Sequence, residues 1–100
     1  MPKSGFKKGD VWRPRFQVVD PEDERVVITA AQLGAPPRVY FVRPDGTHTP
    51  TVDATPDDDI ADAWRGEIEG DKVGDWSCVV GSLAPFKATE VATEYFAPVP

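Results

Sequence analysis

The chain has 100 residues, 40% of them apolar, a net charge of −6 and a single cysteine. A domain of this size buries roughly two thirds of the surface its unfolded chain exposes, enough for a packed core. One cysteine excludes an intrachain disulfide, and no apolar run approaches the roughly 18 residues of a membrane span. No signal-peptide core follows Met1, so the chain is expected to be made in the cytoplasm and to have no membrane partner.

The charge is uneven. Residues 1–15 carry Lys3, Lys7, Lys8, Arg13 and Arg15 against Asp10, a balance of +4, while residues 16–100 balance to −10. An acidic body argues against nucleic acid as a partner, because that affinity comes from neutralising phosphates. A basic start on an acidic body suits pairing with a neighbouring copy or another acidic surface. Eleven prolines and eight glycines favour short strands with many turns over long helices.

In chain order, residues 1–8 have no periodicity and read as a flexible arm, leaving residues 9–100 as the domain. Residues 11–19 alternate, with Trp12, Phe16 and Val18 on one face and Arg13, Arg15 and Gln17 on the other. Pro14 has no N–H to give a ladder, which predicts an edge or a bend there. A charged turn at 20–24 leads to a β-branched run at 25–29, and residues 30–37 read as a connection. Residues 38–43 (RVYFVR) are the densest β-forming run and suit a central strand. Pro44-Asp45-Gly46-Thr47 supplies a turn, because proline fixes φ and glycine takes positive φ. An outer strand over 47–52 is interrupted by Pro50. The one helix-start signal lies in 53–63, with Pro56 at the first helical position and Asp57, Asp58 and Asp59 favoured by the dipole. Residues 64–69 and 75–80 alternate again and predict two strands joined by a tight turn, with Trp64 and Trp76 anchoring the core. A loop follows over 81–87. In the last strand, over 89–99, Val91/Thr93/Tyr95 and Ala92/Glu94/Phe96 both alternate; Phe96 is expected inward, which leaves Tyr95 outward. About seven short strands with frequent turn signals predict an all-β, antiparallel β-sandwich.

The form Asp71-x-Val73-Gly74-x-Trp76-x-Cys78 resembles the corner of immunoglobulin-like domains, where an aromatic precedes an inward cysteine by two positions. The Gly9-Asp10 strand opening, the run from Val39 to Thr47, the strand from Trp64 to Glu69 and the Val73-Gly74-Asp75-Trp76 turn extend that likeness over nearly the whole chain. Together they resemble small immunoglobulin-like structural proteins of tailed bacteriophages, found in tail, baseplate, neck and capsid-associated positions. The resemblance implies a virion protein synthesised in the host cytoplasm, with other virion proteins and copies of itself as partners.

Chemistry-bearing residues are few. His48 is the only histidine, and with no second nitrogen ligand it does not make a zinc site. Cys78 sits at an inward position, where a thiol behaves as a small hydrophobe. The aspartates at 53, 57, 58, 59 and 62 do not follow the alternating ligand spacing of a calcium loop. Glu67 and Glu69 alternate on a strand without an implied cleft, and no phosphate cradle or nucleophile elbow is present. The expectation is a non-enzyme without metal or cofactor.

The interface candidates are Lys3, Phe6, Lys7 and Lys8, with Phe6 anchoring the arm in a neighbour's pocket, and Tyr40 and Tyr95 as outward aromatics. The function expected is docking on a tail, neck or capsid framework. The alternative is capsid decoration, or glycan binding on an aromatic platform near Tyr40, Tyr95 or Trp12.

Overall fold

Pro14 breaks the first predicted strand in two. The computed structural model describes residues 6–83, 85–89 and 93–99. In it, β1 (Val11–Trp12) and β2 (Arg15–Asp20) run antiparallel to a second broken strand, β7 (Ala63–Arg65) and β8 (Ile68–Glu69). Trp12 faces Ile68 across one ladder and Phe16 faces Trp64 across the other. Between them the Pro14 carbonyl accepts a hydrogen bond from Gly66 N–H at 3.0 Å, so the halves stay in line although proline cannot donate. Two further strands pair with β2: β3 (Asp23–Val27), which returns along it past a register shift at Val19/Asp20, and β10 (Lys87–Ala88). β6 (Thr55–Pro56) closes the outer side of β7.

The second sheet has the order β11 (Glu94–Phe96), β9 (Gly74–Val80), β4 (Arg38–Val42), β5 (Val52–Asp53), antiparallel throughout. The period of two sends Val39 and Phe41 of β4, and Trp76 and Cys78 of β9, into the interior. Trp12, Phe16 and Trp64 from the first sheet share one cluster with Val39, Phe41, Trp76 and Phe96 from the second. The Trp12 and Phe41 rings meet edge-on at 5.7 Å across the two sheets, and Trp76 meets Phe96 at 5.9 Å. The fold is all-β and antiparallel, with two sheets closing on one core.

Four expectations need correction. Residues 64–69 and 75–80 are not a hairpin. β7 and β8 belong with β2 and β1, β9 belongs with β4, and residues 70–73 carry the chain from one sheet to the other. Gly70 makes that passage possible, because a Cβ there would lie 2.3 Å from the Phe96 ring. Both tryptophans are nonetheless core residues, Trp64 at 5% and Trp76 at 1% exposure.

The helix is not in 53–63 but at α1 (Ala30–Leu33). Its start is a capping box: the Thr29 hydroxyl accepts from Gln32 N–H and the Gln32 side chain accepts from Thr29 N–H. Gly34 ends it at φ 83°. In 53–63 the Asp57 carboxylate takes the N–H groups of Asp59 and Ile60, which makes a turn that does not continue as helix.

The described residues hold eleven strands, not about seven, largely because the long ones are broken and several two-residue pairings stand alone.

The arm is not free at its inner end. Lys8 N–H donates to the Ala97 carbonyl at 2.8 Å, Ala97 N–H donates to the Phe6 carbonyl at 3.2 Å, and the Phe6 ring lies 5.3 Å from Phe96. Phe6, half-buried, packs on Phe96 of its own chain. Lys3 lies outside the described residues.

Candidate functional site

The two outer faces of the molecule differ in what covers them. On the first sheet, Arg15 lies directly opposite Arg65, a like-charge pairing that costs free energy by itself. Residues 57–59 fold over this face and offset the repulsion. Arg15 Nε donates to Asp57 at 2.9 Å and its Nη2 to Asp59 at 3.4 Å, while Arg65 Nη1 donates to Asp58 at 3.2 Å. The Asp57 side chain is 3% exposed. Burial alone raises its pKa, but hydrogen bonds from Ile60 N–H, the Arg15 side chain and Asp59 N–H outweigh burial and hold the carboxyl below its ordinary value. Arg13 and Glu67 pair farther along at 3.0 Å. The aspartate run is therefore a clasp for two arginines, a role its sequence alone did not reveal. The signal would have been Arg15 and Arg65 on the same outward alternation, but only strand pairing makes them neighbours.

The outer face of the second sheet has no such cover among the described residues. Its register sets Tyr40 opposite Val79, Val42 opposite Ser77, and Tyr95 opposite Asp75. The Ser77 and Thr93 hydroxyls lie 3.4 Å apart, within hydrogen-bond reach. Tyr40 stacks on His48 at 5.0 Å, with 29° between the rings. At one end of the face Arg38 meets Asp53 at 3.5 Å, both well exposed. At the other end Asp75, Thr93, Glu94 and Tyr95 line an open hollow of about 500 Å³. Neither Asp75 nor Glu94 takes part in an ion pair among the described residues.

Of the predicted interface residues, Tyr40 and Tyr95 share this face, and Tyr95 is 42% exposed. Two strands across and four residues along place them roughly 16 Å apart, too far to stack together on one sugar ring. Trp12 is core and offers no platform. Lys7 and Lys8 are exposed beside the end of β11, where Lys7 N–H donates to Asp10.

The remaining reactive groups are held in structural roles. Burial pushes the Cys78 thiol up to about 11, away from the thiolate a nucleophile needs. Trp76 Nε1–H donates to the Lys72 carbonyl at 3.0 Å and ties β9 to the turn before it. Trp64 Nε1 is buried with no hydrogen-bond partner among the described residues. Among the described residues no group of three or more His, Cys, Asp or Glu could hold a metal ion, and no helix is long and apolar enough to cross a membrane.

No protein family, curated protein or solved structure matches the chain.

Proposed function

We propose that the chain is an immunoglobulin-like β-sandwich that acts as a non-enzymatic docking module, with the outer face of the β11-β9-β4-β5 sheet as its docking surface. Strand order supports the immunoglobulin-like reading: β9 is flanked by β11 and β4, β4 by β5, and the opposing sheet pairs β2 with β7 and β7 with β6. In immunoglobulin-like domains the penultimate strand lies between the last strand and the third, and β9 sits likewise between β11 and β4, with the two-residue β10 pairing on the other sheet in between. The corner supports it too. Trp76 stands two residues before the inward Cys78 and bonds a backbone carbonyl four residues upstream, the task of the corner tyrosine in such domains.

The observation that carries the functional reading is the asymmetry of the two outer faces. The chain folds its own aspartates over the arginines of one face and leaves on the other Tyr40, Tyr95, hydroxyls, valines and the Asp75 carboxylate, which makes no ion pair among the described residues. Aromatic residues at the centre with charges at the margin are the composition of an interface. The likeness to tailed-phage structural proteins sets the proposed partner as a tail, neck or capsid framework.

Mass spectrometry of purified particles encoding the chain tests this setting. The protein is expected at a fixed ratio to a major structural protein, with Tyr40 and Tyr95 protected from surface labelling in the particle and reactive in the isolated domain. Absence from particles overturns the virion setting, and equal labelling overturns the docking face.

A further inference from the structure

We infer that the open face of the β11-β9-β4-β5 sheet docks on the same face of a second copy of this chain through a two-fold interface. The inference rests on the reading of that face as the docking surface and names its occupant.

The face carries an exposed guanidinium at one end and an exposed carboxylate at the other. Gly81 N–H donates to the Arg38 carbonyl, and Asp75 lies six residues back along β9. The Arg38 end and the Asp75 end are therefore roughly 20 Å apart. The Arg38 side chain is 61% exposed and held by Asp53 at 3.5 Å and the Thr51 carbonyl at 3.2 Å. At the opposite end, the hollow sets the outward Asp75 carboxylate beside Tyr95. That set suits a guanidinium, which pairs with carboxylates through its planar fork and stacks on an aromatic ring.

A two-fold axis lying in the interface, across β9 near Cys78, brings each Arg38 to the hollow of the other copy. Both ends are then used at once, as an isologous contact requires. The same operation sets Tyr40, the largest side chain near the centre, against Ser77 and Val42 of the second copy, so that a bulky residue meets smaller ones. Strands of three, seven, five and two residues about 4.8 Å apart present on the order of 300 Å² per copy. Roughly 600 Å² in total is below the roughly 1,000 Å² of a stable interface, so the dimer is weak and its formation depends on concentration.

Sedimentation equilibrium from about 10 µM to about 1 mM spans the affinities such an area supports. The dimer fraction is expected to rise across this range. Arg38→Asp and Asp75→Arg should each weaken association at least about tenfold, because either change sets like charges opposite each other at both ends. An equal mixture of the two variants should associate again, since each arginine then meets an aspartate. Thermal melts of each variant alone, unchanged from the parent chain, separate lost association from lost folding.

A chain that stays monomeric throughout overturns the inference, as does a dimer indifferent to both reversals or a mixture that fails to recover. Monomers in solution with the face protected in particles would assign the face to a different protein, leaving the docking module standing without self-association. A charge-dependent dimer from a chain absent from particles would keep this inference and remove the virion setting.

Discussion

Trp64 and Trp76 are both buried, but their indole nitrogens differ in circumstance. Trp76 Nε1–H donates to the Lys72 carbonyl, whereas Trp64 Nε1 is desolvated without a partner among the described residues. A satisfied buried donor contributes about 1 kcal/mol, and an unsatisfied one costs about 1–3 kcal/mol. Replacing each by phenylalanine removes a similar volume, so the difference between the two isolates the nitrogen. Urea denaturation should show Trp76→Phe destabilising the domain by about 1–3 kcal/mol more than Trp64→Phe. Equal losses would mean that the corner bond to Lys72 is immaterial. Gly70 makes a second residue-scale case. Its hydrogen faces the Phe96 ring where a methyl group would sit 2.3 Å away. Gly70→Ala should therefore lower stability by about 1–3 kcal/mol through overpacking. An unchanged denaturation midpoint would show that the ring shifts aside without cost.

At the scale of elements, the segment between β6 and β7 is fixed by charge. Arg15 and Arg65 face each other on neighbouring strands, and Asp57, Asp58 and Asp59 satisfy them. The Asp57 carboxyl titrates below its ordinary value: burial raises it, and the hydrogen bonds from Ile60, Arg15 and Asp59 lower it by more. The sign of the linkage follows. A depressed folded-state pKa contributes stability that is fully present above the unfolded value near pH 4 and is lost as pH falls through the folded value. Thermal melts from about pH 6 down to about pH 2 should show this loss in the parent chain. In Asp57→Asn that part of the acid sensitivity should be missing and the neutral-pH melting point lower, because Arg15 then faces Arg65 with weaker compensation. A variant as acid-sensitive as the parent would move the titration to other carboxylates.

For the whole molecule, residues 6–8 belong to the fold. Phe6 packs on Phe96, and residues 6–8 exchange backbone hydrogen bonds with Ala97, closing the end of the core beside the last strand. Half-burial of an aromatic ring is worth about half of the 3–5 kcal/mol of a full Phe→Ala truncation. Phe6→Ala should accordingly destabilise the isolated domain by about 1–3 kcal/mol in urea. An arm that served only to dock elsewhere would leave the isolated domain's melting unchanged, and that result would refute the packing described here.

The sequence by itself determined what is local. Alternation of period two marked the strands at 11–19, 38–43, 64–69 and 75–80 and sent Trp64 and Trp76 inward, while in the last strand both registers alternated and the structure put Phe96 inward. Pro14 announced its own bend, and Pro44 to Thr47 its own turn, because the φ angles of proline and glycine are properties of single residues. The capping box at Thr29 and Gln32 was equally local and readable, although the acidic run after Pro56 drew attention away from it. Which strands pair was decided only by the tertiary structure. Residues 64–69 and 75–80 look like a hairpin because they are adjacent and alike, yet the chain crosses between sheets at Gly70, where only a hydrogen fits against Phe96. Arg15 and Arg65, fifty residues apart, become neighbours through a ladder, and from that the aspartate run acquires its purpose. The open face is of the same kind. Ser77 is outward by alternation, but only register puts it on one surface with Tyr40 and Tyr95, with Arg38 at one end and Asp75 at the other. Periodicity is set by neighbours in the chain, whereas a surface is set by contacts between segments far apart in it, and no residue in isolation encodes those.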